Sequence, residues 1–249
     1  MRKLISAASS RAFVALVVSG LAAGVAAHAG TIFQVEALNS DGSGVFAVDS
    51  DEIGYDPSDG VWRWRSDSPI PIVDENNQNW IATLERAELT FDADPSVNFG
   101  FSVQAGANTT IFKLSSSLIT LMPPVNNPDG FASAAITATD AFGGNGATVT
   151  GMGTGGNVYT AYYNGFAPAG TEFSNLVPLV VAPPFGSNTV PANDGFRPIA
   201  GLVSDISSQV FFSLTPRDLA SGTTTFIVTP EPGSLALLLL AGVAALRRR

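Results

Sequence analysis

The chain has 249 residues, no cysteine, one histidine and a formal net charge of −9. Without cysteine there are no disulfides and no thiolate-ligated metals, and an acidic balance of this size repels phosphate backbones, which argues against a nucleic-acid partner.

At the front, Arg2, Lys3 and Arg11 precede an apolar stretch over 12–27, and Ala27-His28-Ala29 has the small-x-small form read by signal peptidase. The expectation is a signal helix over 1–29, cut between Ala29 and Gly30. The alternative is an uncleaved anchor, but the apolar stretch is short and rich in small residues. Cleavage removes His28, the single histidine. A mature chain with neither His nor Cys excludes Ser-His-Asp and Cys-His nucleophilic sites, His- or Cys-ligated zinc, and haem held by either residue. From Gly30 to Thr229 six basic and twenty acidic residues leave a net charge of −14. About 200 residues suffice for one well-buried domain, placed here at 30–228.

The body alternates short apolar stretches with Gly, Pro, Asn, Asp and Ser clusters. Strands are predicted over 31–37, 44–48, 61–65, 80–84, 86–92, 98–105, 110–114, 118–122, 134–139, 158–163, 173–181, 210–214 and 223–228. Period two is plain where Ala87, Leu89 and Phe91 share a face, where Phe99, Phe101, Val103 and Ala105 do, and again at Val210, Phe212 and Leu214. No amphipathic helical pattern of useful length interrupts this body, and no period of 20 to 50 residues repeats. The fold class expected is all-β: an antiparallel β-sandwich of jelly-roll or immunoglobulin-like type, flanked by the N-terminal signal helix and a C-terminal hydrophobic helix. Pro123-Pro124 and Pro183-Pro184 read as loops inside that domain.

Four stretches of the body raise chemical questions. Asp49, Asp51, Asp56 and Asp59 form an acidic loop that suits calcium, although Gly60 stands where an EF-hand needs a bidentate Glu; a solvated turn is the alternative. Trp62 and Trp64 share one strand face, with Arg63 and Arg65 on the other. Exposed indoles would stack on sugar rings with the arginines meeting acidic polysaccharide; buried indoles would fill the core. Gly151-Met152-Gly153-Thr154-Gly155-Gly156 matches G-x-G-x-x-G, but a strand rather than a helix follows, so it reads as a hairpin loop and not a dinucleotide fingerprint. Glu85 and Glu88 are among many acids, with nothing marking a catalytic pair, and Asn108-Thr109-Thr110 reads as a loop. No enzyme activity and no cofactor other than possible calcium is expected.

The chain closes on Pro230-Glu231-Pro232, a Gly-Ser-Leu, twelve apolar residues from Leu235 through Leu246, and Arg247, Arg248 and Arg249. As a helix the apolar run spans about 18 Å against a hydrocarbon core of about 30 Å, a poor lasting anchor. The arginines hold the tail end on the cytoplasmic side, which agrees with export of the body. Two prolines around one carboxylate keep the triplet extended and readable by a protease. This ending resembles the PEP-CTERM sorting signal, here 229–249. The resemblance implies recognition by an exosortase-type membrane transpeptidase after signal peptidase, an inner-membrane intermediate, and delivery to the cell surface or extracellular matrix in bacteria that export polysaccharide. An ordinary single-pass C-terminal anchor is the alternative. The function expected is a structural or adhesive surface module, with a carbohydrate- or calcium-binding module as the other reading and exopolysaccharide as its partner.

Overall fold

The computed structural model describes residues 30–229 apart from 59, 93–94 and 167–168. The expected N-terminal signal helix over 1–29 with the cleavage residue Ala29, the Pro230–Pro232 triplet, the expected C-terminal helix with its apolar run, and the arginines lie outside the described residues, while Thr229, where the expected sorting segment begins, is the last residue of a strand. Among the described residues no helix is long and apolar enough to cross a membrane.

The strands are β1 (Thr31–Asn39), β2 (Gly42–Asp49), β3 (Gly54–Asp56), β4 (Val61–Arg65), β5 (Ile70–Val73), β6 (Trp80–Asp92), β7 (Ser96–Ala105), β8 (Thr110–Ser116) and β9 (Ile119–Asn126). They continue with β10 (Asp129–Thr139), β11 (Ala147–Gly151), β12 (Tyr159–Tyr163), β13 (Thr171–Leu176), β14 (Leu179–Ala182), β15 (Ser187–Pro198), β16 (Leu202–Leu214) and β17 (Leu219–Thr229). They form two sheets in which every pairing is antiparallel. The first runs β13-β12-β16-β8-β1-β2, with β9 and the pair β11-β14 also attached to β16. The second runs β15-β10-β17-β7-β6-β4-β3, with β5 on β6.

Alternation explains the sandwich. Along β10 every second residue is buried, and β7 follows the same rhythm from Val97 to Ala105. The predicted inward sets of Ala87, Leu89 and Phe91, of Phe99 to Ala105, and of Val210, Phe212 and Leu214 are all buried. Aromatic rings rivet one sheet to the other. Phe101 of β7 stacks 6.0 Å from Phe212 of β16, which in turn stacks 5.5 Å from Phe112 of β8. Phe33 meets Phe99 edge-on at 5.6 Å, and Phe173 stacks on Phe226 at 5.2 Å. Such pairs add to the area term because ring edges and faces carry opposite partial charge.

Several expectations need correction. Residues 80–84 and 86–92 are one strand, because Glu85 is the extra residue of a bulge between Leu84↔Val103 and Arg86↔Ser102. The single strand expected over 173–181 is broken into β13 and β14 at Val177, whose φ is +62°, followed by Pro178. β3, β5, β11 and β15 were not expected. β15 carries Pro191 and Pro198 and pairs with β10 alone, so it is an edge strand whose missing donors leave no ladder partner behind. Pro123 and Pro124 lie in β9, attached only to β16, for the same reason.

Buried carboxylates tie the turns together. Asp74 accepts the N–H groups of Ser43 at 2.9 Å, Asn76 at 2.9 Å and Asn77 at 3.0 Å, joining two loops. The Ser43 and Asn77 amides hold its carboxyl below the usual range against the opposing effect of burial. Asp140 accepts the N–H groups of Phe185 at 2.8 Å and Gly146 at 3.1 Å, and the Phe185 amide does most to hold it low. Asp218, wholly buried, is pushed up by desolvation and by the neighbouring Asp140 carboxylate. A lowered carboxyl contributes stability above its unfolded pKa of about 4 that disappears as pH falls through the folded value; a raised one does the reverse. Asp74→Asn is therefore expected to lower Tm at pH 7 and to shrink the further fall in Tm between about pH 4 and pH 2. Thermal melts across that range check this, and acid slopes equal to the parent's would contradict it.

Candidate functional site

Residues of both sheets line a cleft of about 830 Å³. Apolar ligands and ring faces use pockets of about 300–1,000 Å³. One wall is the approach to β9 and β9 itself, with Leu118, Leu121 and the 90 % exposed Met122. The other is Trp62 of β4 with Phe91 and Asp92 of β6, while Ser50 and Asn126 supply polar atoms at the rim.

Trp62 stands in this cleft because of cross-strand register. It lies opposite Phe91 on one side and Tyr55 on the other. The Tyr55 ring is 4.7 Å away, and Trp62 and Tyr55 remain 44 % and 51 % exposed. Two residues on, Trp64 has moved inward. It is half-buried with its ring 6.2 Å from Phe33 and 5.9 Å from Phe46, packed against the core. Of the two indoles on one face, one is a surface ring and one a core ring. Arg63 reaches Asp56 at 3.4 Å, an exposed pair that contributes little to stability.

The acidic loop uses its carboxylates locally. Asp49 accepts the Thr31 hydroxyl at 3.0 Å, and the Asp49 N–H donates to Glu52 at 2.9 Å. Asp56 accepts the N–H and hydroxyl of Ser58 at 2.9 and 2.6 Å. Asp51 is exposed and Asp59 lies outside the described residues. Among the described residues no three carboxylates gather closely enough to hold a metal. The Gly151–Gly156 stretch is followed by strand β12, as expected. It is not a hairpin loop, because β11 and β12 each pair with β16 and not with one another. Asn108 lies in the β7–β8 turn, its amide on Asp41 at 2.7 Å, and Glu88 pairs with Arg86 at 3.1 Å on the exposed face of β6.

Sequence reasoning missed the β9 wall. Its signal is Leu118 through Val125, a run of apolar residues and prolines that reads as strand followed by loop. The described chain also enters and leaves beside the cleft: the Ser50 N–H donates to the Gly30 carbonyl at 2.7 Å, the Val228 N–H donates to the Pro95 carbonyl at 2.9 Å, and Ser50 and Pro95 both line the cleft.

No protein-family model matches the chain, and no curated protein does. Among solved structures it is similar to the glycoside hydrolase domain of Endo-D from Streptococcus pneumoniae R6, at 13 % identity and a TM-score of 0.23. That match covers 68 % of this chain and 22 % of the other, so the chain spans about a fifth of that structure's length.

Proposed function

We propose that this chain is an exported, surface-sorted binding module, a β-sandwich of jelly-roll or immunoglobulin-like type that adheres to polysaccharide and does no catalysis of its own. Signal peptidase releases Gly30, the PEP-CTERM-like tail holds the body at the membrane, and an exosortase-type transpeptidase cuts near Pro230-Glu231-Pro232. The body then reaches the cell surface or matrix, where exopolysaccharide is the partner.

The observation that carries the adhesive reading is the Trp62 indole, set at a tilt against the Tyr55 ring and still 44 % exposed at the mouth of an apolar cleft with a polar rim. A sugar ring offers an apolar C–H face to an indole and hydroxyls to a rim, and a rigid aromatic pair binds it with little loss of side-chain freedom. The net charge of −14 over the body favours a neutral glycan over an acidic one. Trp62→Ala is expected to weaken binding to a neutral polysaccharide by at least about thirtyfold, in line with the roughly 2 kcal/mol or more carried by a central aromatic anchor. Trp64→Ala is instead expected to destabilise the fold. Affinity electrophoresis through gels containing dextran, galactomannan or xyloglucan measures the first effect; repeating the runs with millimolar Ca²⁺ tests the calcium reading of Asp49, Asp51, Asp56 and Asp59. Unchanged retardation of Trp62→Ala would contradict the adhesive reading.

A further inference from the structure

The outer face of the first sheet carries a polar row that the pairing register assembles from distant parts of the chain. Gln34 lies opposite Ser115, Ser115 opposite Gln209, Gln209 opposite Thr160, and Thr160 opposite Asn175. Five neighbouring strands thus place amide or hydroxyl side chains in line, spanning about 19 Å at the usual strand spacing; at the far end Thr160 is buried and donates to Asn175 at 2.9 Å. One step along the strands, Glu36 lies opposite Lys113, whose ammonium is 3.0 Å from the Glu36 carboxylate. Gln34 donates to the same carboxylate oxygen at 3.2 Å.

Part of this row lines a groove of about 320 Å³, floored by Ser115 and the nearly buried Gln209, with half-exposed Phe166 on its rim. The Ser115 hydroxyl is buried and makes no hydrogen bond. A buried hydroxyl left unpaired costs free energy, and a ligand hydroxyl is a suitable partner. The groove also touches the Trp62 cleft, because Ser117 and Leu118 line both.

We propose that the groove is a second subsite for the same glycan: a neutral polysaccharide runs from the Trp62 cleft over Leu118 onto the Gln34–Ser115–Gln209 row. Glu36 and Lys113 already neutralise one another, so a charged ligand finds no uncompensated partner there. An apolar ligand would leave the Ser115 and Gln209 groups desolvated and unpaired. Amides and hydroxyls both donate and accept, which suits the mixed hydroxyls of a hexose, and Phe166 offers a ring face at the edge. The inference rests on the adhesive reading above and extends it.

The test uses purified full-length protein in detergent, with gel-immobilised dextran, galactomannan and xyloglucan, and compares three variants with the parent. Gln34→Ala/Gln209→Ala and, separately, the rim variant Phe166→Ala are expected to lose about five- to tenfold in affinity, with Tm kept close to the parent's; Phe166→Ala serves where the double variant unfolds. Trp62→Ala is expected to lose at least as much. Loss on Trp62→Ala alone overturns the second subsite and leaves the cleft. Loss on the groove variants alone overturns the cleft reading and the continuous path. No retardation by any of the three polysaccharides, or parental retardation of all variants, overturns both.

Discussion

Phe212→Ala is expected to lower the unfolding free energy by about 3–5 kcal/mol, the largest effect of any single core substitution proposed for this chain. Phe212 is wholly buried in β16, the strand that carries β8, β9, β11 and β12 along its two sides. Its ring stacks on Phe112 within the sheet and on Phe101 across the core, so its removal opens a cavity between the sheets and unties both contacts. Sheet strands on either side cannot close over the gap without shifting register, which keeps the cost high. Tm should fall by roughly 10 °C for a domain of this size. Phe196→Ala makes the comparison: that ring is 61 % exposed on the edge strand β15 and pairs with the Phe131 ring at 5.1 Å, so its loss should cost no more than about 1 kcal/mol. Equal effects from the two substitutions would mean that the inter-sheet stack does not hold the sandwich.

The second large effect concerns delivery. Replacing Pro230, Glu231 and Pro232 with alanine is expected to abolish processing and leave the protein in the membrane fraction with Arg249 still attached. The physical reason is a mismatch: twelve apolar residues from Leu235 through Leu246 would reach about 18 Å as a helix where the hydrocarbon needs about 30 Å, which on the proposed sorting account makes the tail a brief handle. Alanines would favour helix through the triplet and restore the backbone donors that the two prolines withhold, removing the stretch expected to be read by a protease. Fractionation of cells carrying the altered triplet, with an antibody to the body, measures this. Normal release of that variant would remove the basis for the sorting account.

Much of the architecture was legible because a half-buried strand writes its geometry as alternation. Ala87, Leu89 and Phe91, or Phe99 through Ala105, leave little doubt about which face is inside. β15 was invisible for the opposite reason: none of its residues is buried, so no clear period-two signal exists, and its two prolines read as loop. Glu85 hid because a bulge adds one residue without changing the local composition, and breaks the alternation into two apparent strands. The pairing of Trp62 with Trp64 was correct as to face and wrong as to shared fate, since burial depends on what the opposing sheet covers. The row formed by Gln34, Ser115, Gln209, Thr160 and Asn175 lay beyond sequence reasoning altogether. Residues so far apart in the chain meet only through register, which local pattern does not encode.

The account stands most directly on the termini of the protein as cells deliver it, and intact mass with terminal sequencing of material recovered from the cell surface reads both at once. A chain beginning at Gly30 and ending near Pro230–Pro232, whether free or joined to another group, is the predicted result. Surface protein that still begins at Met1 or still ends at Arg249 would contradict it.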